Sequence, residues 1–334
     1  MSKQYKVGID VSKDWFDVER ANAEGEVQVA RFDNVAAGHR KVCGWLRKGG
    51  HGAEVVLEAT GAYHVKLAMA LATSKGITVM VANPLAVKNF RGSLLQRAST
   101  DATSATMLRK FAERMDFVSW APPTQAKRDL RALARRAQAV TEMRTQERNR
   151  LHAAQVGCEP AVVLKDMRAN IVALGKRIEA LRKHALEVIH GEPELKQQWK
   201  YLRSVKGIGD ISAIAILAEL IFLSSELNVR QWVAYAGLDP KPFESGTSVR
   251  RPARISKLGN VHLRRSLYMP ALVAMRHNAP VKAYAEHLRA KGKPELVIIT
   301  AIMRKLLHAI YGMMKSQSLF DDEKFYRTPL PVAA

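Results

Sequence analysis

The chain has 334 residues, and 53 Lys and Arg residues against 31 Asp and Glu residues give it a net charge of +22. This length allows two or three domains, and this charge favours polyanionic partners, of which nucleic acid is the commonest inside cells. A membrane-spanning helix needs about 20 consecutive apolar residues. No run of that length is expected here, which excludes a membrane protein. Because the N-terminus lacks a signal-peptide pattern and Cys43 and Cys158 form no CxxC pair, a reduced cytoplasmic protein is predicted.

The first 120 residues have the pattern of an α/β domain with a mixed sheet. Three short strands come first, and two helices then alternate with two further strands before Pro84 starts another helix. The predicted strands span 5–10, 15–20, 27–32, 53–58 and 77–82, and the predicted helices span 35–48 and 63–75. The prolines of Ala121-Pro122-Pro123 interrupt this pattern, so the first domain is predicted to span 1–120.

Acidic residues stand where two of the predicted strands end and where a later helix begins: Asp10, Glu58 and Asp101. A sheet holds strand-end carboxylates rigidly at one edge, and Mg²⁺ takes one or two such carboxylates together with water and substrate phosphate. A ribonuclease H-like fold builds a phosphodiester site in this way, so the three acids are predicted to bind Mg²⁺. A fourth carboxylate is expected three residues after Asp101, on the same helix face. Ser104 stands there instead.

Other readings of these acids are open. Each acid taken alone is more often a surface or capping residue, since Asp10 fits a turn and Asp101 fits the N-terminal end of a helix dipole. A sugar-kinase-like ATPase core is a further alternative for the fold. Such a core requires glycine-rich phosphate loops after its strands, and the sequence lacks them.

A long coiled-coil linker is predicted over residues 121–192. The segments 124–156 and 163–188 both have helical apolar spacing, and the second alternates steps of four and three residues over almost four heptads. Two such helices favour an antiparallel hairpin, although the same seam could pair with another subunit, and a plain packed helical pair fits equally well. Arginines on the first helix are assigned to nucleic-acid backbone contact, the alternative being a solvated face: Arg128, Arg131 and Arg135.

The C-terminal domain, residues 193–334, is predicted to be α-helical and to contain a helix-hairpin-helix motif. The sequence Lys206-Gly207-Ile208-Gly209 precedes an apolar, small-residue segment over 211–220. Glycines in such a turn let backbone N–H groups approach a phosphate, helped by the N-terminus of the next helix. Lys206, Gly207 and Gly209 are therefore assigned to nucleic-acid binding, the alternative being a glycine-rich turn between packed helices.

A basic segment follows Ser245-Gly246. Between Thr247 and Lys282 there are eight Lys or Arg residues and no acid. Guanidinium groups hold phosphate and stabilise its developing charge, so a hydroxyl beside them could attack a phosphodiester. A Ser-Gly pair by itself is equally typical of a loop. Nucleic-acid binding is assigned to Arg250, Arg251, Arg254, Lys257 and Arg264.

Five stretches of sequence together carry a resemblance that covers nearly the whole chain. In order they are Gly-Ile-Asp-Val-Ser-Lys at 8–13, Leu-Glu-Ala-Thr-Gly at 57–61, Asn83-Pro84, Thr100-Asp101, and Ala-Gly-Leu-Asp-Pro at 236–240 with Ser245-Gly246. The chain resembles the DEDD transposases of the insertion sequence 110 family, which are related to the Piv and MooV DNA invertases. The resemblance implies a RuvC-like catalytic domain, a coiled-coil linker and a C-terminal transposase domain. It also implies RNA-guided recombination, in which a structured noncoding bridge RNA pairs with double-stranded donor and target DNA.

The resemblance further implies roles for individual residues. Asp10, Glu58 and Asp101 match the first three family acids, which hold Mg²⁺, and Ser245 matches the family serine proposed to form a covalent 5′-phosphoserine link to DNA. Because the serine domain of one subunit completes the acidic site of another in such recombinases, a homo-oligomer (dimer or tetramer) is implied. The fourth family acid falls at Ser104, and a hydroxyl is a much poorer Mg²⁺ ligand than a carboxylate. Weakened metal occupancy is therefore expected.

Two other functions fit the same residues. In a metal-dependent Holliday-junction resolvase or nuclease, water attacks the phosphodiester and Ser245 is structural. In a nucleic-acid-binding regulator, the ribonuclease H-like core has lost catalysis, which the serine at position 104 allows.

Overall fold

The computed structural model describes residues 4–22, 24–48, 50, 52–59, 61–94, 101–245 and 249–326, with the backbone alone at 101–103, 243–245 and 249–253. The chain divides into two compact units, Met1–Pro122 and Pro123–Ala334. The two long helices of the predicted linker belong to the second unit. A separate linker domain stays a prediction.

The N-terminal unit contains a five-stranded mixed sheet. Its elements are β1 (Gln4–Val11), β2 (Trp15–Ala21), β3 (Val27–Asp33), α1 (Ala36–Leu46), β4 (Gly52–Glu58), α2 (His64–Ala72), β5 (Ile77–Ala82), α3 (Pro84–Ser93) and α4 (Asp101–Arg114). The strand order is β3-β2-β1-β4-β5. Strand β2 runs antiparallel to both of its neighbours, while β4 runs parallel to β1 and to β5. The α/β pattern predicted for this region is confirmed.

The two faces of this sheet pack against different helices. On one face Val7, Ile9 and Phe16 share an apolar core with α1 and α2. On the other face Val56 and Ala82 share a smaller core with α3 and α4. Because side chains alternate along a strand, the even-numbered residues of β1 lie on the α4 face. The residue that ends the predicted first strand, Asp10, is one of them.

The C-terminal unit is mostly helical. Its elements are α5 (Gln125–Val156), α6 (Ala161–Gly191), α7 (Pro193–Ser204), α8 (Asp210–Leu220), α9 (Val229–Ala236), β6 (Pro240–Ser245), β7 (Val249–Ile255), α10 (Val261–His277), α11 (Ala279–Ala290), α12 (Glu295–Ser316) and α13 (Asp322–Phe325). The mostly helical character predicted for this region is confirmed. The antiparallel hairpin β6–β7 was not predicted and corrects the expectation of an entirely helical domain. Prolines at 240, 242 and 252 concealed the strands, and they are tolerated because both strands are edge strands.

The long helices α5 and α6 pack antiparallel to each other within the chain. Val140 of α5 shares a small apolar cluster with Leu174 and Ile178 of α6. Farther from the turn that joins the helices, Leu130 and Ile189 belong to the main core of the C-terminal unit. The apolar seam predicted over 163–188 therefore faces α5 of the same chain.

Helix α12 corrects the expectation that no segment is long enough to cross a membrane. By length and composition alone its 22 residues could do so. Ile298, Ile302 and Leu306 are fully buried in the C-terminal core, and Arg304 and Lys305 interrupt the apolar stretch. These contacts are those of a core helix, and such a helix is weak evidence for a membrane span.

A buried carboxylate ties α5, α8 and α10 together. Glu219 of α8 is 1% exposed and accepts two hydrogen bonds from the Arg135 guanidinium of α5, at 2.7 and 2.9 Å. Asn260, the N-cap residue of α10, donates to the same carboxylate at 2.7 Å. A buried acid is tolerated only with partners of this kind. The hydrogen bond to Glu219 also raises the pKa of Arg135 above its ordinary value.

Glu219→Ala is expected to lower the free energy of unfolding by about 3 kcal/mol, because Arg135 and Asn260 lose their buried acceptor. Urea unfolding followed by circular dichroism measures the loss. The control is Glu142→Ala, since the Glu142–Arg265 ion pair is half exposed and such pairs contribute at most about 1 kcal/mol. Equal losses in the two variants would contradict the role assigned to Glu219.

Candidate active site

Asp10 and Glu58 lie side by side at the ends of neighbouring parallel strands. Ile9 of β1 pairs with Leu57 of β4 in parallel register, so Asp10 and Glu58 are the next residues along the two strands. Neighbouring strands are about 4.8 Å apart, and residues in register point to the same face. Both side chains are half-buried. The structure therefore brings together the two predicted strand-end acids.

Helix α4 crosses the face of the sheet that carries these acids. A Cβ added to Gly8 would lie 2.1 Å from the carbonyl oxygen of Ala105 and 2.2 Å from the backbone nitrogen of Arg109. Glycine is needed at this position of β1 because any side chain would push the helix away. The contact places Ser104, which precedes Ala105, on the part of α4 that lies over β1.

Two buried acids of β2, Asp17 and Glu19, were missed by the sequence reasoning. Arg109 of α4 donates to Glu19 at 2.6 Å, and Thr106 donates to the other oxygen of that carboxylate. Arg31 of β3 donates to both oxygens of Asp17 at 2.8 Å. These pairs attach α4 and β3 to β2 and so support the acidic edge. Acids at alternate positions of a strand that is otherwise apolar except for Arg20 were the available signal.

A cation lies beside the position of the absent fourth acid. Nη2 of Arg91, on α3, donates to the Ser104 hydroxyl at 3.5 Å. Burial raises the pKa of the Glu58 carboxyl, and the Arg91 guanidinium offsets part of that rise. Arg91 is therefore close to both the hydroxyl and the carboxylate, and it adds a fixed positive charge beside the predicted metal site.

The described oxygen donors fit a divalent cation in number and type. Two carboxylates at adjacent strand ends and one hydroxyl are hard ligands, and Mg²⁺ needs only one or two protein carboxylates besides water and phosphate. Among the described side chains, no three His, Cys, Asp or Glu residues converge as a metal site. The Asp101 side chain lies outside that set. The structure places Asp10 and Glu58 next to each other. The site of three acids that includes Asp101 stays a prediction.

The predicted nucleophile, Ser245, is the last residue of β6 and pairs with Val249 of β7. Its side chain and residues 246–248 are outside the described part of the chain. At the other end of the hairpin, Ser256 donates its backbone N–H to the Asp239 carbonyl at 2.9 Å and its hydroxyl to the Asp239 carboxylate. The 236–240 segment thus closes the base of the hairpin that carries Ser245.

Gly237 allows the chain to turn into this hairpin. It ends α9 with a φ of +64°, a left-handed conformation that glycine adopts without strain. A Cβ at this position would lie 3.0 Å from the backbone of Lys257 and closer still to Arg264, which itself donates to the Ala236 carbonyl at 2.9 Å. The glycine is therefore required by both conformation and packing.

Comparison with known families identifies the chain. A model for DEDD transposases of the IS110 group, described as "Transposase", matches residues 7–159, which include Asp10, Glu58 and Asp101. A second model, described as "Transposase IS116/IS110/IS902 family", matches residues 199–286, which include Ser245. Together these ranges cover more than two thirds of the chain. The chain belongs to the IS110 family of transposases.

Relatives of this IS110 transposase include DNA-inverting proteins. The chain is 29% identical to the pilin gene-inverting protein of Moraxella bovis over 325 residues, which are 96% of this chain and 98% of that protein. The protein of the same name from Moraxella lacunata matches to the same extent. The uncharacterized 43.6 kDa protein of insertion element IS110 from Streptomyces coelicolor is 22% identical over 51% of this chain and 39% of its own length. The chain is thus a recombination enzyme that acts on DNA.

The arginines of α5 have partners inside the C-terminal unit of the transposase. Arg135 binds the buried Glu219, and the Arg131 guanidinium lies 3.4 Å from the centre of the Phe222 ring. Arg128 donates to the carbonyl of Pro123 at 2.5 Å. The geometry favours a structural role for these residues, and their contact with nucleic acid stays a prediction.

Other basic residues of the IS110 transposase surround the hairpin. Arg254, Lys257 and Arg264 line an open cavity at its base. Arg250 and Arg251 lie on β7, and their side chains are outside the described residues. The structure therefore brings three of the five predicted hairpin-region cations together.

The predicted helix-hairpin-helix glycines form the turn between α7 and α8. Gly207 has a φ of +114°, and a Cβ there would lie 3.0 Å from the backbone of α10, so close packing requires glycine. Gly209 is the N-cap of α8, and Lys206 is exposed. Arg203 pairs with Asp210 at 2.7 Å across the turn. Phosphate binding at this turn stays a prediction.

Gly8→Ala is expected to destabilise the N-terminal unit by about 2 kcal/mol or more and to reduce recombination, because the new methyl group displaces α4 from the acidic strand. Thermal unfolding and strand-exchange rates measure the two effects. Gly44→Ala on α1 is the matched control, since a Cβ there meets no atom within 4 Å. Wild-type behaviour of Gly8→Ala would contradict the close packing of α4 on β1.

Proposed function

We propose that this transposase cuts and rejoins DNA strands, with Ser245 as nucleophile and Mg²⁺ held by Asp10, Glu58 and Asp101. The observation that carries the proposal is the placement of Asp10 beside Glu58 at adjacent parallel strand ends, under helix α4. The β3-β2-β1-β4-β5 order, with β2 antiparallel, supports a RuvC-like, ribonuclease H-like core for this site. Phosphodiester chemistry at clustered carboxylates is the activity that such a site favours.

The proposed reaction proceeds through a covalent intermediate. The Ser245 Oγ attacks phosphorus and releases its proton to solvent, while the bond from phosphorus to the 3′ oxygen breaks and that oxygen takes up a proton. The 3′ hydroxyl of the exchanged strand then attacks the phosphoserine, closes a new phosphodiester and restores the serine hydroxyl. Bound Mg²⁺ supplies positive charge that stabilises the negative charge of the transferring phosphate. Asp10 and Glu58 would hold the metal ion in a fixed position, because the sheet holds their side chains rigidly.

A guide RNA and further subunits are part of the same proposal. A net charge of +22 suits simultaneous contact with double-stranded DNA and a structured noncoding guide RNA. The exposed Lys206 and the N-terminus of α8 suit a phosphate and support the helix-hairpin-helix role. A dimer or tetramer would allow the serine hairpin of one subunit to complete the acidic site of another.

Inversion of a DNA segment is a second candidate outcome. The pilin gene-inverting protein of Moraxella bovis matches this chain over 96% of its length, which supports that outcome. Inversion and transposition differ in how the two recombining sites are arranged, whereas the strand chemistry is the same. The residues proposed above serve either outcome.

The proposal that an RNA guides recombination is tested by copurifying the full chain with cellular RNA and sequencing the RNA that stays bound. One predominant structured RNA encoded beside the gene is expected, and strand exchange should require it. Random RNA fragments would contradict guidance and favour the nuclease or regulator alternatives.

Strand exchange is expected to stop in EDTA and to resume with Mg²⁺. Glu58→Gln should slow it about 100-fold or more, because a neutral amide binds Mg²⁺ poorly. Glu54→Gln on the same strand is the control, since Glu54 pairs with Lys6 and lies away from the strand end. Exchange that persists in EDTA, or equal losses in the two variants, would overturn the metal site.

A further inference from the structure

A groove in the C-terminal unit is lined in part by three cations that the sequence analysis assigns to nucleic-acid binding, Arg254, Lys257 and Arg264, but the function proposed so far names no ligand for it. We propose that this groove binds unpaired nucleotides of the DNA strand that lies next to the cut, an inference that rests on the proposed serine recombination. Its volume is about 1080 Å³, which is at the upper end for small-ligand pockets and is large enough for more than one nucleotide. The hairpin base, α10, Tyr284 of α11 and the first half of α12 form its walls.

The described residues that line the groove include several cations and no acid. Six Lys or Arg side chains contribute to the lining: Arg254, Lys257, Arg264, Arg265, Arg304 and Lys305. Arg265 pairs with Glu142, Arg264 binds the Ala236 carbonyl, and Lys305 lies 4.4 Å from the centre of the Tyr284 ring. In the described part of the chain no ion pair is seen for the other three. Arg254, Lys257 and Arg304 are therefore available for phosphate groups.

The apolar part of the lining distinguishes an unpaired strand from a duplex. Leu296 is 66% exposed, Val297 49%, Val261 47% and Tyr268 38%, so these side chains present apolar surface to the open groove. A duplex hides the faces of its bases, whereas an unpaired base offers a flat apolar face that stacks on aromatic side chains. Cations for phosphate beside apolar and aromatic surface for bases is the combination typical of single-strand binding sites.

The position of the groove indicates which strand occupies it. Pro240, Arg254 and Ile255 belong both to the groove and to the hairpin whose other end carries Ser245. Strand β6 has six residues, which at about 3.3 Å each gives a span of about 20 Å. With about 3.4 Å per nucleotide along a stacked strand, the bound bases lie about five or six nucleotides from the scissile phosphate. The occupant is therefore DNA flanking the cut.

Fluorescence anisotropy with a labelled ten-residue oligodeoxythymidine, in EDTA, tests the groove without any strand cleavage. Tyr268→Ala is expected to weaken binding about tenfold, and Arg304→Ala should weaken it and lower the salt slope by about one. Met269→Ala and Arg276→Ala are matched controls on α10, because both residues are exposed and lie outside the groove lining. Wild-type affinity in both groove variants would overturn the proposal.

Three further arms make the occupant specific. Tyr268→Ala should bind blunt duplex DNA with nearly wild-type affinity. Equal losses of affinity for duplex and single-stranded DNA would overturn the assignment to unpaired bases. Tighter groove-dependent binding of oligouridine RNA than of oligodeoxythymidine would assign the groove to RNA instead. A change in sedimentation of Tyr268→Ala without DNA would assign it to a second copy of the chain. Because the assay needs neither metal nor Ser245, it can fail independently of the proposed function.

Site-specific 2-aminopurine in a cleavage substrate tests the predicted distance. A fluorescence change relative to the free duplex is expected about five or six nucleotides from the scissile phosphate in the wild-type complex, and Tyr268→Ala should alter it. An unchanged signal in Tyr268→Ala, or a change at the scissile step alone, would overturn the placement of the strand in the groove.

Discussion

Ser245→Ala is expected to abolish strand exchange, with a loss of at least about a thousandfold, because no other group replaces the attacking oxygen. The same variant should form no protein–DNA adduct that survives denaturation. A 3′-end-labelled DNA substrate run on a denaturing gel measures both effects, because the 5′-phosphoserine link joins the protein to the fragment that keeps the 3′ end. Binding of intact DNA should be unchanged, since the substitution removes only a hydroxyl.

Ser248→Ala is the matched control for this variant, because it removes a hydroxyl three residues away in the sequence. It should retain exchange and adduct formation. Normal exchange in Ser245→Ala would contradict the serine mechanism and support a water-dependent nuclease or junction resolvase. If only Ser248→Ala lost the adduct, the nucleophile would be Ser248 and the assignment to Ser245 would be wrong.

Ser104→Asp is expected to raise the strand-exchange rate about tenfold at limiting Mg²⁺ and to lower the Mg²⁺ concentration needed for half-maximal rate. The reason is that position 104 lies on α4, over the face that carries the strand-end acids, and a carboxylate there is a far better ligand than a hydroxyl. Titration of the exchange rate with Mg²⁺ measures both quantities.

Arg91 lies beside position 104 and could bind the new carboxylate in place of the metal. Because Nη2 of Arg91 already donates to the Ser104 hydroxyl, a new carboxylate could pair with the guanidinium instead of the metal. Ser104→Asn, which has nearly the same shape and no charge, is the control and should leave the rate unchanged. An unchanged or lower rate in Ser104→Asp would contradict the expectation that the Ser104 hydroxyl weakens metal binding.

The strand-end acids were predictable because local patterns specify them. An apolar run that ends in an acid predicts a buried strand with a carboxylate at its end, and both Asp10 and Glu58 follow that rule. Their adjacency was also predictable, because the carboxyl ends of parallel strands meet at one sheet edge. The hairpin that carries Ser245 was not predictable in the same way, since its prolines and arginines hide the alternation of a strand.

The arginines of α5 show where sequence reasoning stops. The sequence around Arg135 has the same local pattern as that around the exposed cations of the chain. Only its ion pair with Glu219, 84 residues away, distinguishes Arg135 from them. Arg31 and Arg109 are the same case, because they neutralise the buried acids of β2. Basic residues along a helix or strand indicate a polyanionic partner only if they are not already paired with acids of the same chain.

The sequence by itself determined the family, the mixed α/β and helical units, and the order of the acids along the chain, because these depend on local apolar patterns and on motifs of neighbouring residues. The tertiary structure alone decided three other features: the packing of α4 on Gly8, the approach of Arg91 to Ser104, and the cationic and apolar groove below the serine hairpin. Each of these joins residues that are distant in sequence. Their proximity follows from how whole elements pack, which no local pattern encodes.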